Sequence, residues 1–135
     1  MRVSPIALVY HRNPALAMQY AIRSSEVTHP YSTNSEACKI YTQLIVRALA
    51  SASKEDIASD LTGYNFEDPD LRSRFQKYSN LASFQATPEH EISSSGYVVH
   101  SLEAALWAFF TTDNFEQGAF KVGLLGSCFS FQLSP

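Results

Sequence analysis

Thr33-Asn34-Ser35-Glu36-Ala37-Cys38-Lys39-Ile40-Tyr41-Thr42-Gln43-Leu44-Ile45-Val46-Arg47-Ala48-Leu49 is the stretch on which the fold class turns. Ala37, Ile40, Tyr41, Leu44, Ile45, Ala48 and Leu49 recur at three- and four-residue spacing, the period of one helix face. Thr33 with Glu36 three residues on predicts a capping box, because a hydroxyl and a carboxylate can satisfy the first unpaired backbone N–H groups of the helix. A strand would instead alternate with period two, which this stretch does not.

The flanking segments carry similar start and stop marks. Asn13 before Pro14 predicts a helix with Leu16, Ala17, Tyr20 and Ala21 on one face, ending near Ser24. Ser53 ahead of Glu55 and Asp56 opens a short helix over Ile57, Ala58 and Leu61, and Gly63 stops it. Asp68-Pro69-Asp70 repeats the cap-then-proline device, with Leu71, Phe75, Tyr78 and Leu81 or Ala82 continuing one face. Thr87 to Gly96, with Pro88 and the Ser93-Ser94-Ser95-Gly96 run, reads as a loop. Leu102, Ala105, Leu106, Phe109 and Phe110 predict the next helix, and Asn114 with Gln117 caps a last one. The sum is an all-α domain of about six or seven helices.

With 135 residues and 45% hydrophobic content, the chain can bury one core. Charged residues make up 17% and the formal net charge is −3, so there is no broad basic surface for nucleic acid or anionic lipid. The apolar stretches at Ala104 to Phe110 and Val122 to Leu125 fall short of the ~20 residues that span a bilayer. After the short apolar run from Val3 to Tyr10, His11, Arg12, Asn13 and Pro14 stand where a small-residue cleavage site would be. A mature, cytoplasmic segment is therefore expected. Cys38 and Cys128 are too few for a disulfide framework, and Cys38 is expected as a buried free thiol.

Residue chemistry alone singles out few candidates. Glu89, His90 and Glu91 form a tight cluster of possible metal ligands, but adjacent residues on a polar loop rarely converge on one ion. His29 follows a helix end, where an imidazole can bond the last carbonyls. Tyr97 after Gly96 can be a core-edge residue or an aromatic platform for a base. The remaining acids are expected on solvent faces or in first helical turns.

Three strings resemble the ADP-ribosylglycohydrolase family. Met1-Arg2-Val3-Ser4-Pro5-Ile6 is similar to its Met-Arg-x-x-Pro-Ile segment, and Ser24-Ser25-Glu26-Val27-Thr28-His29, with Cys38 and Tyr41 following, is similar to its Ser-x-x-Thr-His junction. The stretch Gly96-Tyr97-Val98-Val99-His100-Ser101-Leu102-Glu103-Ala104-Ala105-Leu106-Trp107-Ala108-Phe109 resembles its Gly-Tyr-Val-x-x-Thr-Leu-Glu-Ala-Ala-Leu-Trp-Ala-Phe. The resemblance implies an all-helical fold and hydrolysis of the glycosidic bond between ADP-ribose and a modified acceptor. It also implies divalent ions, usually magnesium, in complete members. Carried onto this chain, it makes His29, Gly96 and Tyr97 substrate-binding residues and ADP-ribose or an ADP-ribosylated protein the partner.

The family's early Thr-Asp-Asp and late Asp-x-Asp-Thr metal motifs have no counterpart here, and no acid follows Glu116. Residues 1–122 are therefore expected to be an incomplete ADP-ribosylglycohydrolase-like domain and 123–135 a divergent hydrophobic tail. Met1 is expected to be an internal methionine of a longer ancestor and the tail a product of altered splicing or a frame change. No catalytic or metal-ligating residue is assigned. No cofactor is expected for this chain and little or no activity of its own, the alternative being a non-catalytic ADP-ribose-binding module.

Overall fold

The computed structural model describes residues 3–93 and 95–127. Among them are eight α-helices, a 3-10 turn at Glu89–Glu91 and no strand. The helices are α1 (Ser4–Tyr10), α2 (Pro14–Glu26), α3 (Ser32–Leu49), α4 (Lys54–Thr62), α5 (Pro69–Phe75), α6 (Leu81–Ala86), α7 (Val98–Thr111) and α8 (Phe115–Ser127). The all-α expectation holds. Cys128, Phe129, Phe131 and Leu133 of the expected tail lie outside the described residues, as do Met1, Arg2 and Ser94.

Helix α3 is central and touches α1, α2, α4, α5 and α7. Its apolar residues divide among three clusters, one large and two small. Ala37, Ile40 and Leu44 enter the main one, with Ile57, Leu61, Leu71, Phe75, Phe84, Leu102, Leu106 and Phe110. Cys38 packs with Val3 and Ala21, and Val46 with Ala7 and Ala17. The small residues Ala7, Ala17 and Ala21 in the two smaller clusters let α1 and α2 pack on α3, and the period seen in the sequence thus serves more than one neighbour at once. Leu49, assigned to the apolar face, is instead 46% exposed, in the last turn of α3. Cys38 is a buried free thiol as expected.

Several ends match the local marks. Asn13 accepts the Leu16 N–H at 3.2 Å, Ser53 and Asp56 form a capping box, and Asn114 accepts the Gln117 N–H at 2.9 Å. One helix is not expected from the sequence, and one expected face is divided. Ser4-Pro5 starts a helix that periodicity over so few residues could not reveal, since its stability comes from Ala7 packing against Ala17 and Val46. The face drawn from Leu71 to Ala82 belongs to two helices, with Asn80 and Ser83 capping the second. The break turns Tyr78 inward, where its ring stacks on Phe84 with centroids 3.7 Å apart.

Glu103 departs furthest from the expectation that acids face solvent. It is fully buried on α7. Arg74 donates to its Oε2 at 2.6 Å, while the Tyr78 hydroxyl donates to Oε1 at 2.7 Å and Lys77 sits 2.8 Å from the same oxygen. A buried carboxylate is tolerated when paired and hydrogen-bonded on both oxygens. Burial first, then the hydrogen bond and charge of Glu103, push the Tyr78 phenol well above its ordinary range. The network ties the turn after α5 to the middle of α7.

Candidate functional site

A cleft of about 1080 Å³ opens where the end of α2, the start of α3 and the start of α7 meet. It is large enough for a ligand of nucleotide size. Ser25, Thr28 and His29 form one side, Tyr31, Asn34 and Tyr41 the floor and second side, and Gly96, Tyr97 and Ser101 the third. The three residues singled out in the sequence, His29, Gly96 and Tyr97, thus line one cavity although they come from separate parts of the chain. Another hollow of about 460 Å³, beside Trp107 and Lys121, includes none of them.

His29 is exposed. Its backbone N–H, not its ring, bonds the Ser25 carbonyl at 2.8 Å and closes the end of α2. The ring Nδ1 pairs with Thr28 Oγ1 at 2.9 Å, which leaves Nε2 on the far edge of the imidazole. The expected bond from the imidazole to the last carbonyls is therefore made by the main chain, which reaches them without bending the side chain back. Gly96 is exposed, and a Cβ added there would meet nothing within 4 Å. No packing within the described chain requires a glycine at this point.

Tyr97 is the N-cap residue of α7 and its side chain is half-exposed, at 40%. Its hydroxyl donates to Asp70 Oδ2 on α5, and its ring stands edge-on to His100 with centroids 5.4 Å apart. His100 Nδ1 pairs with Ser95 Oγ at 2.6 Å. The hydrogen bond to Asp70, followed by burial and the Asp70 charge, pushes the Tyr97 phenol up to about 12. The residue is therefore a hydrogen-bonded wall of the cleft and not part of the core.

Sequence reading missed the acids behind this wall. Thr33 and Glu36 do not cap their own helix; α3 starts after Tyr31 with no side-chain cap bond. Thr33 donates to Asp68 Oδ2 at 2.6 Å, and Glu36 accepts the N–H groups of Glu67 at 2.8 Å and Asp68 at 2.7 Å. Asp68 Oδ1 in turn accepts from Asp70 and Leu71 N–H at 3.0 and 3.2 Å, capping α5. Burial raises the Asp68 carboxyl, but the bonds from Thr33, Leu71 and Asp70 outweigh it and hold the group below the usual carboxylate range. The only signal for these acids in the sequence is Asp68-Pro69-Asp70, whose local pattern announces a cap and nothing of the contact with α3.

Glu89, His90 and Glu91 are all exposed, and among the described residues no three His, Cys, Asp or Glu side chains gather as a metal site.

The family model described as ADP-ribosylglycohydrolase matches residues 1–127. An ADP-ribosylarginine hydrolase Tri1 from Pseudomonas putida (strain GB-1) is 28% identical over 117 residues, which cover 85% of this chain and 29% of that protein. An ADP-ribosylarginine hydrolase Tri1 from Serratia proteamaculans (strain 568) is 43% identical over 47 residues, 35% of this chain and 13% of that protein. The chain thus spans less than a third of the length of either relative. No solved structure matches it.

Proposed function

Because this chain belongs to the ADP-ribosylglycohydrolase family, we propose that its cleft receives ADP-ribose and that the polypeptide by itself binds this group without cleaving its linkage. The observation that carries the reading is the meeting of His29, Gly96 and Tyr97 around one cavity of nucleotide size. The face of Tyr97 offers a stacking surface for a heteroaromatic ring. His29 offers a ring nitrogen that can donate to or accept from a ribose or phosphate edge. Among the described residues lining the cleft none is Lys or Arg, so this wall suits the uncharged nucleoside part better than the diphosphate.

The buried or hydrogen-bonded carboxylates around the cleft and α7 do not fit a magnesium centre. Both oxygens of Glu36, Asp68 and Glu103 are taken by protein donors, and Asp70 Oδ2 is taken by Tyr97. Magnesium needs several oxygens converging on one point with near-octahedral geometry. The engagement of these four carboxylates supports a binding role for the cleft over metal-assisted hydrolysis. The named relatives make an arginine-linked ADP-ribosyl group the first acceptor to try.

Calorimetric titration of the folded chain with ADP-ribose, with and without magnesium, tests the reading, alongside an assay for release of ADP-ribose from ADP-ribosylarginine. Metal-independent binding without release is expected. Release, or binding that strengthens with magnesium, would show that a metal site operates and overturn the binding-only assignment. Absence of any binding would overturn the assignment of the cleft.

A further inference from the structure

Tyr97 stands between the cleft and the amino end of α5. Its half-exposed ring lines the cavity, and its hydroxyl donates to Asp70, which is not among the lining residues. A tyrosine on an exposed loop has two side-chain rotors, and an unanchored ring would sample several directions. Here the hydroxyl is tethered to Asp70, the ring edge rests against His100, and the backbone N–H bonds Ser95 Oγ at 3.3 Å. Asp70 is itself held in register, because its N–H is bonded to the Asp68 cap at 3.0 Å and Asp68 is gripped by Thr33 of α3. A line of hydrogen bonds thus runs from α3 through α5 to the ring in the cleft.

We propose that Asp70 is a positioning residue: its carboxylate holds the Tyr97 hydroxyl and so pre-orients the ring face toward the ligand, without touching the ligand itself. The inference rests on the ADP-ribose reading of the cleft. A charge-assisted hydrogen bond is stronger than a neutral one, and orienting a contact group before binding removes an ordering cost from the binding step. Tyr97→Phe keeps the ring and loses the tether, Asp70→Ala loses the tether from the other side, and Asp70→Asn keeps an oxygen that can still accept the hydroxyl.

The test measures ADP-ribose affinity calorimetrically for the wild-type chain, the three single variants and the Asp70→Ala/Tyr97→Phe double variant. It also follows the Tyr97 ring by NMR with carbon-labelled tyrosine, assigned by the signal that Tyr97→Phe removes. Asp70→Ala and Tyr97→Phe are each expected to weaken binding roughly three- to tenfold, and the double variant no further, because both break one tether. Asp70→Asn is expected to recover most of the affinity. In Asp70→Ala the Tyr97 phenol should ionise at lower pH than in the wild type, which verifies that the tether is broken, while the recovery of affinity in Asp70→Asn separates positioning from a merely structural role. Wild-type binding that is unchanged in Asp70→Ala, or losses that add in the double variant, would overturn the inference. A wild-type chain that binds no ADP-ribose would instead overturn the reading of the cleft on which the positioning role of Asp70 rests.

Discussion

Glu36 on α3 accepts the backbone N–H of Asp68 at 2.7 Å, while its other oxygen accepts that of Glu67 at 2.8 Å. One side chain thereby fixes the entry to α5 from a helix far away in sequence. Glu36→Ala is expected to destabilise the chain by about 1–2 kcal/mol, the size of a hydrogen bond to a charged group whose partner is left short of water. Glu36→Gln, which retains one acceptor oxygen, should cost less. Urea denaturation followed by circular dichroism measures both, and equal midpoints for Glu36→Ala and wild type would refute the claim.

Asp68 gives this junction a pH dependence. Its carboxyl lies below the ordinary range in the folded chain, so folding favours the ionised form. The stability it adds is present above the unfolded aspartate value and is lost as the pH falls through that value toward the depressed one. Asp68→Asn keeps a capping oxygen but no charge, and Asn is as good an N-cap as Asp. The gap in melting temperature between wild type and Asp68→Asn should therefore shrink on going from about pH 6 to about pH 3. A gap that stayed constant would mean the charge is irrelevant.

Glu103 is a costlier residue to lose. Glu103→Ala strands Arg74 and Lys77 beside a buried void, and removing one partner of a buried ion pair typically costs about 3–5 kcal/mol. The lower end is expected, since the Arg74 and Lys77 side chains are 28% and 37% exposed and can regain water. Tyr78→Phe removes one donor and keeps the stack on Phe84, for an expected loss of about 1–1.5 kcal/mol. Thermal unfolding of the two variants should rank them in that order.

Gly96 separates stability from binding. A Cβ there meets nothing within 4 Å, so Gly96→Ala should leave the melting temperature unchanged or slightly raised through the unfolded chain's lost freedom. If the cleft receives ADP-ribose closely, the added methyl should weaken binding several-fold in calorimetric titration. Unaltered affinity would place the ligand elsewhere in the cavity.

Lys121 lies 4.1 Å from the Trp107 ring centroid and donates to Thr111 Oγ1 at 2.9 Å, pinning α8 to α7. Lys121→Ala should cost about 0.5–2 kcal/mol and alter the emission of Trp107, the single tryptophan of the chain. An unchanged spectrum would argue that the contact does not persist in solution.

Local chemistry made much of the fold legible in the amino-acid sequence. Asn13, Ser53, Asp68 and Asn114 each start the helix their position announces, because a cap side chain needs only the N–H groups two or three residues ahead. The three-and-four period of α3 and α7 marked both as helices for the same reason of short range. What each apolar residue packs against, however, depends on neighbours distant in the chain, and only the folded arrangement divides α3 among three clusters or sends Thr33 and Glu36 across to α5. A hydroxyl and a carboxylate carry no label for which N–H group they will satisfy. The candidate residues His29, Gly96 and Tyr97 could be picked out from strings resembling a family, but their placement around one cavity, and the tether from Asp70 to Tyr97, are products of packing. Tertiary contact alone decided that a tyrosine readable as core edge would stand at the mouth of a cleft.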